Sequence, residues 1–183
     1  PRKDEAEGPY VRAINLDFDE QGFRSQISVD SYQRLSTIYA PKADGLLLGY
    51  RNGPGGGMQR QEPNAANALK YYQNCVELCE SFANLVPRDG SNMFTMATCQ
   101  AGYCASAVAS GAGNDEGERI RRYRAEATKT LQGFKQSGQL KEGTAMYKRA
   151  QRALDFIAGA PAGGPPTGPA AKKKKKKKVK VAL

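Results

Sequence analysis

The sequence has 183 residues, 28 Lys and Arg against 18 Asp and Glu, a formal charge of +10 and 39% hydrophobic residues. That suits one domain of ordinary size with long arms, and it excludes two comfortable cores. There is no His and no Trp, which removes the usual general base and the commonest metal ligand, and with them most hydrolase and zinc-hydrolase chemistry.

The charge is unevenly placed. Seven lysines run from Lys172 to Lys178 and an eighth is Lys180, and without those eight the formal charge falls from +10 to +2. The basic balance therefore belongs to a tail, which fits a local contact with an acidic surface better than a basic body does. The longest uninterrupted aliphatic run is Leu46-Leu47-Leu48, far below the roughly 20 residues that span a bilayer, so a soluble or peripheral protein is expected. A chain beginning at Pro1 suits a mature form whose targeting peptide was removed, or a shortened chain.

Along residues 10–18, Ile14, Leu16 and Phe18 fall at period two, which predicts a strand-like or extended arm. Residues 31–39 fit a short helix or an extended piece ended by Pro41. The stretch 49–57, containing Gly53-Pro54-Gly55-Gly56-Gly57, predicts a flexible loop. After Pro63-Asn64, the residues Leu69, Tyr72, Val76, Cys79, Phe82 and Ala83 recur at three and four, predicting a helix of about 20 residues that stops before Pro87. Residues 93–113 are rich in small side chains without a steady period and read as loop with one short helix.

Asn114-Asp115-Glu116 then offers a cap and acidic first-turn residues, and Ile120, Tyr123, Ala127, Leu131 and Phe134 form a stripe. A helix over about 115–135 is expected. A third stripe, Tyr147, Ala150, Leu154 and Ile157, ends at Gly159, and the Ser137-Gly138 break before it predicts that these two helices pack as a pair. Residues 159–171 hold only Gly, Ala, Pro and one Thr, a composition that reads as a linker to the lysine run. The fold expected is mainly α: an arm and Gly-rich loop over 1–62, a compact helical domain over 63–158, and a Pro/Gly- and Lys-rich tail over 159–183.

The four cysteines occur as Cys75-x3-Cys79 and Cys99-x4-Cys104. Four thiolates can close a zinc site, but zinc knuckles usually space their ligands by two residues on a tight turn, whereas Cys75 and Cys79 are one helical turn apart. Disulfides would need an oxidising compartment. Cys79 falls on the apolar stripe and reads as a small buried hydrophobe. Cys99 stands in the irregular small-residue segment, where a thiol could be reached by a bulky reagent, although exposure and thiolate character decide its reactivity. From the residues alone it reads as a free thiol.

Gly53–Gly57 lacks the Gly-Lys-Ser/Thr ending of a phosphate loop. Arg119, Arg121, Arg122 and Arg124 share a helix with Glu116, Glu118 and Glu126, which predicts a solvated, salt-bridged face first and a docking face second. The lysine run rewards any clustered anions, whether nucleic acid, lipid or protein, and without arginine's bidentate geometry it has little selectivity. No nucleophile with a base, no paired carboxylates and no phosphate loop can be named, so an enzyme is not expected.

Several segments carry a resemblance in their order and spacing. Lys70-Tyr71-Tyr72-Gln73-Asn74-Cys75 is followed by Thr98-Cys99-Gln100-Ala101-Gly102, then by Gly113-Asn114-Asp115-Glu116-Gly117-Glu118-Arg119 leading to Tyr123-Arg124-Ala125-Glu126, and by Tyr147-Lys148-Arg149-Ala150-Gln151-Arg152-Ala153. Over about residues 66–158 the chain resembles one repeat of the phycoerythrin gamma subunits, the chromophore-binding linkers of red-algal phycobilisomes. That family usually carries the repeat twice, and residues 39–57 lack the cysteine with which such chains can hold a further pigment.

The resemblance implies a smaller linker or adaptor in a chloroplast light-harvesting antenna, on the stromal side of the thylakoid. By position Cys99 matches the bilin-bearing cysteine and Cys75 one in the preceding helix, so the resemblance allows a thioether-bound bilin of the phycoerythrobilin or phycourobilin type. The implied partners are phycobiliprotein hexamers, phycoerythrin or phycocyanin, with other linkers, and the lysine tail could reach the thylakoid or a photosystem. The opposing expectation is a small basic RNA- or ribosome-associated protein that uses the tail. The near-neutral body, without a basic face of interleaved aromatics, weighs against specific nucleic-acid binding.

Overall fold

The computed structural model describes residues 7–14, 26–52, 57–113 and 116–159. Their architecture is helical: α1 over residues 7–14, α2 (Gln26–Leu48), α3 (Ala65–Leu85), α4 (Gly90–Ala109), α5 (Gly117–Gln136) and α6 (Ala145–Ile157), with a small hairpin of β1 (Tyr50–Asn52) and β2 (Met58–Arg60) between α2 and α3. The mainly α fold expected from the sequence is the fold observed.

Three helices follow from their stripes. α3 starts at Asn64, whose side chain accepts from the Asn67 amide at 3.0 Å, and it buries Tyr72, Val76, Cys79 and Phe82 along one face. α5 buries Ile120, Tyr123, Ala127 and Leu131. α6 starts at Thr144, which caps the Tyr147 amide at 3.2 Å, and buries Ala150, Ala153 and Phe156. α5 and α6 pack together as expected: Lys135 Nζ donates to Gln151 Oε1 at 2.9 Å and lies 4.9 Å from the centre of the Tyr147 ring. Glu116 occupies the N-cap of α5 without a side-chain cap bond, and Asn114 and Asp115 lie outside the described residues.

Residues 93–113, expected as loop with one short helix, instead lie mostly in the 20-residue α4, the centre of the molecule. Asp89 caps it, accepting from the Asn92 amide at 2.7 Å. From Ala97 to Cys104 every residue is buried. A helix covered on all sides has no polar face and so no amphipathic period; small residues let its neighbours approach. Two hydrophobic clusters meet on α4, one built chiefly from α2 and α3 around Tyr72, Tyr103 and Cys104, the other from α5 and α6 around Phe94, Ala101, Leu131 and Ala153.

The arm expected over 1–62 is corrected in three places. Residues 7–14 are helical, and their more sheltered side chains, Tyr10, Ala13 and Ile14, fall at i, i+3 and i+4; a short run containing Tyr10 and Ile14 satisfies both periods until packing chooses. Leu16 and Phe18 lie outside the described residues. Glu7 ties α1 to α2, accepting from the Tyr39 hydroxyl at 3.0 Å and pairing with Lys42 at 3.3 Å.

α2 runs through Pro41 rather than stopping there. An interior proline costs about 3 kcal/mol, but Leu35 before it and Ala43 and Leu47 after it are all buried, and three such side chains contribute more than that. The expected flexible loop at 49–57 contains β1, which pairs antiparallel with β2 just beyond it, Arg51 opposite Gln59. Gly49, at φ 72°, turns the chain out of α2, and Gln61 donates its amide to the Gly49 carbonyl at 3.0 Å. The Asn64 amide then satisfies the Leu46 carbonyl at 2.8 Å, so the end of α2 is closed by the start of α3. The helical unit thus includes α2 and the hairpin, upstream of Pro63. The Pro/Gly linker and lysine tail lie outside the described residues.

Candidate functional site

Cys75 and Cys99, the two candidate attachment residues, face each other between α3 and α4 and form a disulfide, with Cα atoms 6.3 Å apart. Both are completely buried. The expectation of a reachable free thiol at Cys99 is therefore corrected: its segment is the central helix, and its sulfur is already bonded.

A thioether-linked tetrapyrrole at either position needs a free thiol and room for a pigment of several rings. Neither condition is met. Gly102, one turn along α4 from Cys99, packs so closely on Tyr72 that an added Cβ would lie 2.2 Å from the ring, and the interior on this side is filled. These residues do not fit a bilin in this fold.

Cys79 and Cys104 are free and buried, Cys79 as the stripe predicts. Burial pushes the Cys79 thiol up to about 12 and the Cys104 thiol up to about 11, so neither supplies a thiolate at neutral pH. Among the described residues no His, Cys, Asp or Glu group is arranged to hold a metal ion.

The polar residues of the interior serve as ties. Tyr72 is buried and donates its hydroxyl to Asp44 Oδ1 at 2.6 Å, joining α3 to α2; desolvation, then the Asp44 charge, raises its pKa well above the ordinary value. Asn92 Nδ2 donates to the Cys79 carbonyl at 2.8 Å, and buried Gln100 donates to Glu126 at 2.7 Å. Tyr103 accepts from Arg119 at 3.1 Å and stands edge-on to Tyr123, with ring centres 5.3 Å apart.

These groups predict a pH dependence. The Cys79 thiol rises from 9.0 to about 12 on folding, so the unfolded chain loses this proton first. The stability it contributes is fully present below pH 9 and is lost as the pH climbs from 9 towards 12. Near pH 10.5 the loss is about 2 kcal/mol, and Tyr72 acts in the same direction above pH 10. Melting temperature should fall steeply above pH 9, and Cys79→Ala should flatten that fall; an unchanged slope in the variant would assign the effect elsewhere.

The outer surface carries the remaining candidate chemistry. The salt-bridged face expected on α5 is present in part: Arg119 pairs with Glu116 at 3.4 Å, and Arg122 with Glu126 at 4.0 Å while lying 5.1 Å from the Tyr123 ring centre. Arg121 is exposed on the outward side of α5, whereas half-buried Arg124 lies beside the Cys104 thiol. The helix periodicity foretold an arginine-rich face but not that Arg124 would turn from it towards Cys104. Comparison of the chain with protein-family models, curated proteins and solved structures yields no match.

Proposed function

We propose that this chain is a non-enzymatic linker of a phycobilisome-type antenna, with its helical unit docked among phycobiliprotein hexamers, phycoerythrin or phycocyanin, and its lysine tail reaching a neighbouring acidic surface. The observation that carries the reading is the ordered set of segments at 70–75, 98–102, 123–126 and 147–153, which resembles a gamma-subunit repeat and falls on four successive helices, α3 to α6, around α4. Within that reading the chain contributes shape and charge. Pigment at Cys75 or Cys99 would require the disulfide to open and α3 and α4 to part, so the function proposed does not use them as bilin carriers. The site of action would be the stromal side of the thylakoid in a chloroplast.

Co-purification with intact phycobilisomes, followed by mass measurement of the chain, tests this. The expected result is a stoichiometric component without the added mass of about 0.6 kDa per bilin. A chain absent from purified antennae overturns the linker function. Salt-sensitive RNA binding that vanishes on removal of residues 172–183 would favour the RNA- or ribosome-associated reading, which the eight tail lysines support.

A further inference from the structure

None of the four cysteines is accessible to solvent. The Cys75–Cys99 bridge sits in the seam between α3 and α4, and α2 closes over it, with the Ser36 carbonyl 4.0 Å from the Cys75 sulfur. Every α4 residue from Ala97 to Cys104 is buried, and Tyr72, one turn before Cys75 on α3, packs directly on Gly102. Two surface hollows lie beside α2, one lined by Leu35 and Leu78, the other by Ser36 and Thr95, and no cysteine lines either. A reductant has to bring a thiolate onto one of the two sulfurs, and the packed helices leave it no path.

The protein's own thiols do not take its place. Cys104 donates its thiol to the Ile120 carbonyl at 3.6 Å, towards α5 rather than the bridge. Cys79 stands one turn beyond Cys75 on the same helix. Burial holds both thiols protonated at neutral pH, whereas the attacking species in disulfide exchange is the thiolate. Nor can the seam open alone. Ile120 and Tyr123 of α5 and Phe156 of α6 belong to the same hydrophobic cluster as the bridge, so parting α3 from α4 strips the packing of the outer helices as well.

We infer that the Cys75–Cys99 bridge exchanges with outside thiols only when the whole bundle opens, so that the folded chain keeps the redox state in which it closed. Formation takes one proton and one electron from each thiol, and a disulfide-bearing oxidant accepts the two electrons and becomes two thiols. In reduction by a dithiol, one thiolate of the reductant bonds to one cysteine sulfur and the other cysteine leaves and takes a proton. The reductant's second thiolate then closes on its own sulfur in the mixed disulfide, freeing the first cysteine and ending as a cyclic disulfide. A disulfide ordinarily points to an oxidising compartment. An insulated one needs such conditions only while the chain folds, and it survives in a reducing compartment afterwards, whatever the chain's partners are.

The test follows reduction of the bridge in the full chain by dithiothreitol, quenched with a maleimide and counted by mass. At equal reductant the native chain should react at least a hundredfold more slowly than the chain in fully denaturing urea. Leu131 is buried on α5 in the other hydrophobic cluster, to which no cysteine belongs. At low reductant, where reclosing outruns attack, Leu131→Ala should speed native reduction at least thirtyfold and lower the folding equilibrium constant by the same factor.

If Leu131→Ala loses helicity by circular dichroism, the parent chain in graded urea below its transition takes its place. The logarithm of its reduction rate should then climb with the slope of global unfolding. A rate that Leu131→Ala leaves unchanged, or one that climbs in urea with less than half that slope, means that the bridge is reached locally and overturns the proposal. A native rate within a hundredfold of the denatured one does the same, as does an unfolded, unreduced chain that takes up four labels.

Discussion

Gly102→Ala should lower stability by about 3 kcal/mol, at the upper end of what overpacking costs. Its Cβ would lie 2.2, 2.3 and 2.7 Å from three atoms of the Tyr72 ring, well inside contact distance, and the ring has little freedom to withdraw. Tyr72 is fully buried against α2 and α4, and its hydroxyl is held by Asp44 at 2.6 Å. Moving the ring breaks that bond, and leaving it in place compresses α3 against α4. Urea denaturation of both proteins measures the difference. A double-mutant cycle identifies the cause: Gly102→Ala should cost much less in a Tyr72→Leu background, because the clashing ring atoms are gone. Additive losses would place the effect in the glycine's backbone rather than in its contact with Tyr72.

Removing the Cys75–Cys99 bridge should cost a similar amount. The two residues are 24 apart in sequence, and closing a loop of that length in the unfolded chain is worth about 3 kcal/mol in the chain-entropy account. The double substitution Cys75→Ala/Cys99→Ala should show this loss by denaturation under non-reducing conditions, while added reductant should destabilise only the parent. Alkylation counts the thiols independently. The native chain should take up no label, the unfolded chain should take up two without reductant, at Cys79 and Cys104, and four with it. Four labels on the unfolded, unreduced chain would refute the pairing and return Cys99 to the pool of candidate attachment residues.

Where the sequence was informative, one face of an element met the core and the other met water. α3, α5 and α6 each do so, and their stripes and stops predicted all three. α4 was not legible because burial on every side erases the alternation on which such reading depends; Thr98, Gln100 and Ser106 are buried as deeply as the alanines around them. α2 was hidden by Pro41, whose local rule is overridden by packing on both sides of it.

The cysteine pairing was illegible for a related reason. Cys75 could be placed on a helix and Cys99 could not, so nothing in the spacing showed that the two face each other. The ties of the interior, Tyr72 to Asp44 and Gln100 to Glu126, join residues 28 and 26 apart, a separation at which sequence pattern carries no distance information. Of the α5 face, the charge could be read from the sequence, but which arginines meet Glu116, Glu126 or Cys104 depends on which way the helix is turned by Ile120, Tyr123, Ala127 and Leu131.

Because α4 is a wall common to both hydrophobic clusters, neither cluster can lose its structure while the other keeps it. The helix pairs on either side cannot behave as separate modules, so heat or denaturant should produce one sigmoidal transition when followed by any probe. Backbone amides from Ala97 to Cys104 should exchange with solvent deuterons only through opening of the entire molecule, while those near the exposed start of α6 should exchange through local fraying. A pull applied through the outer face of α5 would then be borne by the whole bundle rather than by one helix pair.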